Sequence, residues 1–290
     1  MKYAYYPGCS AKSTCPELDQ STNVVARELG IELVELEVAG CTGSRQIRDL
    51  DRDLFLTLNA RTLALAENMN LDVLTVCATC LLNLTEVNKT LRDDPGLMER
   101  INENLSASGL SYCGGVEVTH LLWVLLKDIG AEELGRKTRK PLTGLRVAPF
   151  YGCHILKPKE VLGFDDPDYP TSLENLIRVI GAKPVDYKGK RGCCGFHVLL
   201  DNEDVSLKMS GKHLSQAKDE KADCLVTTCP LCHTALDPYQ TAIEKQLDMK
   251  LDVPIIHLPQ LLGLALGLDP GELKLSDHVV SPSSMLAKTA

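Results

Sequence analysis

Apolar positions along this chain fall into short blocks separated by longer stretches with helical spacing. Lys2–Gly8 (KYAYYPG), Ile31–Leu36 (IELVEL) and Leu71–Val76 (LDVLTV) are rich in β-branched and aromatic residues and are bounded by turn formers, which predicts strands. Leu145–Gly152 (LRVAPFYG), Lys183–Tyr187 (KPVDY) and Cys224–Thr228 (CLVTT) repeat the pattern in the second half. Between them, Ser44–Met69, Ser172–Ile180 and Glu203–Lys218 carry apolar residues at helical intervals. The apolar run Leu258–Leu268, broken by Pro259, Gln260 and two glycines, suits a short buried helix. Strands alternating with helices predict an α/β fold with largely parallel sheets.

The two series of blocks are a duplication. GIELVEL from Gly30 mirrors GAKPVDY from Gly181, LDVLTVCATC mirrors ADCLVTTCPLC, and the segment around His120 echoes that around His257. The seam falls in the basic, helix-breaking stretch Arg136–Gly144, giving domains of residues 1–140 and 141–290, pseudo-symmetric and each near the usual domain size.

Cysteine usage sharpens the picture. The chain holds 12 cysteines in 290 residues. Cys41 precedes Cys77 by thirty-six positions, as Cys193 precedes Cys229. Each interval ends in C-x-x-C, at Cys77/Cys80 and Cys229/Cys232, and each has an upstream cysteine, Cys9 or Cys153. Each C-x-x-C follows a predicted strand and opens a helix, where free N–H groups favour thiolate and an anionic metal centre. Structural zinc, a thioredoxin-like dithiol, iron–sulfur binding and inert core thiols all compete for such pairs. A dithiol needs only two of these sulfurs and five exceed what a zinc ion uses, so sets of four or five with no carboxylate or paired His ligands suit iron–sulfur best. Cys15, Cys113 and Cys224 lie outside the repeat and are expected to be buried, inert thiols.

Composition removes other classes. Hydrophobic residues make 44% and charged residues 24%, with a mean hydropathy of −0.05, as in ordinary globular chains. A net charge of −8 and a pI near 5.4 argue against nucleic-acid binding. The start MKYAYYPGCS has no secretory pattern and no apolar run reaches bilayer length, so the expectation is a cytoplasmic chain without a membrane span. No phosphate loop or dinucleotide fingerprint occurs, so no flavin or NAD is expected on this chain.

The spacing C-x31-C-T-G-x33-C-x-x-C, followed by C-x39-C-C-G-x33-C-x-x-C, resembles the duplicated CCG (cysteine-rich) domain of the B-type component of heterodisulfide reductase and its relatives. The resemblance spans nearly the whole chain and implies cofactor and metal ligation by Cys9, Cys41, Cys77 and Cys80 in the first copy. In the second it implies ligation by Cys153, Cys193, Cys194, Cys229 and Cys232. It further implies a noncubane [4Fe–4S] cluster in the second domain, where five thiolates are present, with cluster sites near the domain interface. It implies oxidoreductase chemistry on a thiol or disulfide substrate. It also implies two partners: a C-type, ferredoxin-like iron–sulfur subunit, and an A-type, flavin-containing subunit. The first copy departs from the motif at Cys41-Thr42-Gly43, and its four remaining thiolates suit a [4Fe–4S] or [2Fe–2S] cluster that relays electrons. Relatives with one complete motif also include electron-transfer or anchoring subunits of succinate- or hydroxyacid-oxidising complexes.

A second asymmetry is independent of the family. His154, His197 and His233 border the second sulfur set, where the first copy has Ser10, Arg45 and Leu81. Imidazoles there could donate to sulfur and supply protons, which makes these three the candidate catalytic residues. His120 and His257 are expected to be core or capping residues.

Overall fold

The strand-forming runs assemble into two four-stranded, wholly parallel sheets with the same strand order in a computed structural model that describes residues 1–289. The first sheet contains β1 (Lys2–Tyr6), β2 (Glu32–Glu35), β3 (Val73–Thr75) and β4 (Val118–His120), ordered β2-β1-β3-β4. The second contains β5 (Arg146–Phe150), β6 (Lys183–Pro184), β7 (Cys224–Thr227) and β8 (Ile255–His257), ordered β6-β5-β7-β8. Ala4 pairs with both Val34 and Val73, and Ala148 with Leu225, so β1 and β5 hold equivalent inner positions. Helices cover both faces, which is why β3 and β7 are buried along their whole length and read as continuous apolar runs.

Local chemistry sets the helix ends. The helix Pro16–Leu29 starts with Pro at its first position, carries Glu17 and Asp19 in its first turn, and stops at Gly30 in the left-handed region. Ser44–Met69, read as one helical stretch, is two helices, Gln46–Leu50 and Arg52–Asn68. Asp51 between them is extended, and its carboxylate accepts from the Leu54 N–H, the N-cap arrangement that starts a new helix. Ser172–Val179, Glu203–Asp219 and the fully buried Leu258–Ala265 form helices where the pattern placed them.

Helices of the two halves pack against each other at the seam. Leu258–Ala265, from the second half, packs along Pro16–Leu29 in the first. His120 and His257 end β4 and β8 and cap the following helices; His120 Nδ1 accepts from Leu122 N–H at 3.1 Å. Cys15 and Cys224 are buried as expected, but Cys113 is exposed, in a loop whose N–H groups donate to the Glu67 carboxylate.

In each sheet the chain order reverses about the inner strand, and the crevice at the carboxyl ends of the strands on either side of such a point is the usual ligand site of open α/β sheets. Cys9 and Cys77 follow β1 and β3 there, and Cys153 and Cys229 follow β5 and β7.

Candidate metal centre

Both sulfur sets are built from the same parts. Cys77 and Cys229 are the N-caps of helices Ala78–Asp93 and Pro230–Leu236, at the positive end of each helix. Their N–H groups donate to Thr75 Oγ1 at 3.3 Å and Thr227 Oγ1 at 3.4 Å, which fixes the turn after each strand. The Gly43 and Gly195 N–H groups point at Cys41 Sγ and Cys193 Sγ, both at 3.4 Å. These donors favour thiolate.

In the first set Cys9 Sγ lies 3.5 Å from Cys41 Sγ. Thr42, 2% exposed, occupies the place that Cys194, 5% exposed, takes in the second set. Asn83 Nδ2 donates to Thr42 Oγ1 at 3.2 Å, which leaves the Thr42 hydroxyl proton to point at Cys80 Sγ, 3.7 Å away. The equivalent Cys194 and Cys232 lie near enough to shift each other's protonation. Thr42 is thus a hydrogen-bond donor to a set of four sulfurs, where the second copy has a fifth sulfur.

The two sets touch. Cys77 Sγ is 3.9 Å from Cys229 Sγ. Within the second set Cys153, Cys193, Cys194, Cys229 and Cys232 lie near enough to shift one another's protonation, and the Cys77–Cys229 contact joins them to the first set. A cavity of about 170 Å³ lies over the first set, walled by Cys9, Cys41, Thr42, Cys77 and Cys80, with Phe196, Pro230 and Leu231 contributed by the other half.

Protons are shared unequally among these thiols. Contact with Cys9 pulls Cys41 down to about 6, contact with Cys153 pulls Cys193 down to about 2, and Cys232 and Cys77 hold Cys229 well below its ordinary value. The partners retain the protons: Cys9 is raised by Cys41, Cys153 and Cys194 by Cys193, Cys77 by Cys229, and Cys232 by Cys194. Crowding of thiols within each set thus favours loss of a proton from one of them, and thiolate is the form that binds metal.

The three histidines separate. His154 and His197 stand together at the seam with ring centroids 5.1 Å apart. Each is tied to the first half, His154 Nδ1 to Thr79 Oγ1 at 2.9 Å and His197 Nδ1 to Ser44 Oγ at 3.2 Å. Burial, then the facing His197, lowers His154 to about 4, and burial also lowers His197. His233 is elsewhere: its ring nitrogens face Cys15 Sγ and His278 Nδ1. Thr79, Ser44 and Asn83 are not legible as site residues in the sequence, although Thr79 lies inside a C-x-x-C.

The residues fit an iron–sulfur group. The donors are sulfur, and the backbone makes room for them: a Cβ on Gly152 would lie 2.9 Å from Cys232 Sγ, and one on Gly8 3.2 Å from Cys80 Sγ. Both glycines have positive φ, +70° and +80°.

The architecture is thus that of a duplicated parallel α/β protein with a cluster of cysteines at each switch point. The sequence matches the Cysteine-rich domain (CCG) family over residues 3–85 and 147–237, and the chain belongs to that family, whose cysteines imply iron–sulfur clusters. It is 43% identical to the 8-methylmenaquinol:fumarate reductase membrane anchor subunit of Wolinella succinogenes, over 98% of this chain and 99% of that one. It is 33% identical to the B-type component of the ferredoxin:CoB-CoM heterodisulfide reductase of Methanosarcina mazei, over 99% of this chain and 96% of that one. A hypothetical protein from Helicobacter pylori shares the fold at a TM-score of 0.76 and 18% identity, over 97% of this chain and 52% of that chain. The homologues are components of multi-subunit reductases, which supports a redox role within a complex. Among the described residues no helix is long and apolar enough to cross a membrane.

Proposed function

We propose that this chain is the iron–sulfur component of a heterodisulfide-reductase-like complex, with thiol–disulfide chemistry at the second set and electron relay through the first. Cys153, Cys193, Cys194, Cys229 and Cys232 would hold a noncubane [4Fe–4S] group, and Cys9, Cys41, Cys77 and Cys80 a [4Fe–4S] or [2Fe–2S] group. These groups, when bound, supply the one-electron redox steps. The observation that supports the reading is the sulfur-to-sulfur contact of Cys77 and Cys229, which leaves no residue between the two sets.

Reducing a disulfide to two thiols takes two electrons and two protons. His154 and His197, held at the seam by Thr79 and Ser44, would pass protons toward the second set in this reading. The electrons would come from a ferredoxin-like iron–sulfur subunit, itself fed by a flavin-containing one. Residues 1–140 and 141–290 act as the relay and chemical domains, and the reading places the chain in the cytoplasm, held by its partners.

A second reading is supported by the 43% identity to the fumarate reductase component: a chain that transfers electrons or anchors its partners in a quinol-, succinate- or hydroxyacid-linked complex, with no substrate of its own. Paramagnetic resonance of the purified complex separates the two. Under the first reading a thiol or disulfide changes the second centre's spectrum, and His154→Asn or His197→Asn slows turnover at least tenfold with iron retained. A second centre indifferent to thiols and disulfides, in a complex that a quinol reduces, supports the second reading.

A further inference from the structure

Away from the two sulfur sets, the seam between the halves holds a second buried group of ligating side chains. Cys15 and Glu17 stand at the start of the helix Pro16–Leu29, while His233 lies on Pro230–Leu236 and His257 ends β8. They are 1%, 4%, 3% and 0% exposed. One ligating atom from each lies within 4.8 Å of the others. Cys15 Sγ is 3.8 Å from His233 Nδ1, Glu17 Oε1 is 2.9 Å from His257 Nε2, and the imidazoles stack at 4.1 Å.

Hydrogen bonding fixes which nitrogen of His233 is free. Gln260 Nε2 donates to Leu273 O at 3.0 Å and its Oε1 accepts from the His257 N–H at 2.9 Å, so the amide orientation is set. Gln260 Oε1 then accepts from His278 Nε2 at 2.9 Å, and His278 Nδ1 accepts from His233 Nε2 at 2.9 Å. A neutral His233 is therefore protonated at Nε2 and presents its Nδ1 lone pair to Cys15, Glu17 and His257. A ligating imidazole whose other N–H is held by an acceptor is the usual arrangement around a bound metal.

Charge leads to the same place. A thiolate and a carboxylate carry two negative charges and two neutral imidazoles none, so a divalent cation leaves the site neutral in a seam that excludes water. Burying the two anions alone is costly, and burial does push Cys15 up to about 11 and raise Glu17.

We propose that Cys15, Glu17, His233 and His257 form a mononuclear site for a divalent transition metal, zinc by its donor set, which fastens the first half to the second and is separate from the iron–sulfur groups. One sulfur, two nitrogens and one oxygen suit tetrahedral zinc. Metal–ligand bonds of about 2.0–2.3 Å place donors about 3.3–3.8 Å apart, close to the spacing present. The inference does not depend on the reaction proposed for the sulfur sets.

The test is metal analysis and zinc X-ray absorption of the anaerobically purified full chain, supplied with zinc and then passed over chelator. The expected result is one zinc per chain with a single sulfur in its shell, iron content being unaffected. Cys15→Ser and Glu17→Gln, both close in shape to the native residues, should each lower zinc occupancy at least tenfold and leave iron unchanged. Zinc surrounded by three or four sulfurs would mean that it sits in the Cys9 or Cys153 set, and the proposal fails. It fails equally if the folded, iron-loaded chain takes up no zinc, in which case Cys15 is only a thiol donating to His233. If a variant fails to fold, the single-sulfur shell of the wild-type protein remains the deciding measurement.

Discussion

Cys77 Sγ and Cys229 Sγ lie 3.9 Å apart across the seam, so each C-x-x-C opens with a sulfur that faces the other set. A substitution at one of these positions should therefore reach both centres. With two four-iron groups the intact chain carries about eight iron. Cys9→Ser, at the outer edge of the first set, should lower this toward four and leave the second centre's spectrum alone. Cys229→Ser should shift the spectra of both. Iron and acid-labile sulfide assays with paramagnetic resonance decide it, and independence of the first centre from Cys229 would break the electronic link.

The glycines before Cys9 and Cys153 offer a test of packing. At Gly152 an added methyl would lie 2.9 Å from Cys232 Sγ, and the backbone is left-handed, which costs a non-glycine residue about 1–2 kcal/mol. Gly144 has φ of +90° but nothing within 4 Å of its would-be Cβ. Both alanine variants should lose stability through backbone strain, but only Gly152→Ala should lose iron from the second set. Equal iron in the two variants would show that the sulfur position tolerates displacement.

Much of this is legible in the sequence because duplication prints the same signals twice. The strand runs, the thirty-six-residue spacing and the C-x-x-C at each helix start name the nine cysteines, and the structure gathers them into two touching sets. The break at Asp51 is hidden because periodicity continues across it, whereas one extended residue with a capping carboxylate ends the helix. Nearness to cysteine in sequence groups His233 with His154 and His197. A helix turns successive side chains by about 100°, so the residue after Cys232 faces a different neighbour, Cys15. The group formed by Cys15, Glu17, His233 and His257 joins residues from both ends of the chain and leaves no local pattern to read.

The loop after Cys41 is held to the helix of the C-x-x-C by charge. Arg45 Nη1 and Arg48 Nε both lie 2.8 Å from the Glu86 carboxylate, and Arg45 also donates to Asn83 Oδ1 at 3.1 Å. Burial works against the Glu86 anion, but the hydrogen bonds from Arg45 and Arg48 win and lower its pKa. The stabilisation is therefore fully present above the ordinary glutamate value and is lost as pH falls through the lowered folded value. Glu86→Gln should cost about 1 kcal/mol at pH 7, and the difference from wild type should shrink only in acid below the ordinary value. Denaturant unfolding across that range checks the sign: a difference that grew on acidification would contradict it.

The last prediction exchanges the one residue that distinguishes the two sets. Thr42 gives its hydroxyl proton to Cys80 because Asn83 occupies its lone pair, and the position equivalent to Asn83 in the second half is the buried Ala235. Cys194→Thr therefore removes a sulfur and puts a hydroxyl against Cys232 without supplying the amide that orients it. The second set is left with four sulfurs. Iron content should fall only modestly, the second centre should take on the spectroscopic signature of the first, and disulfide turnover should be lost. Thr42→Cys is the converse: it sets a thiol against Cys80 as Cys194 is set against Cys232, and should move the first centre's spectrum toward the second's. If Cys194→Thr keeps both turnover and the original spectrum, the fifth sulfur is not a ligand, and the assignment of chemistry to the second set falls with it.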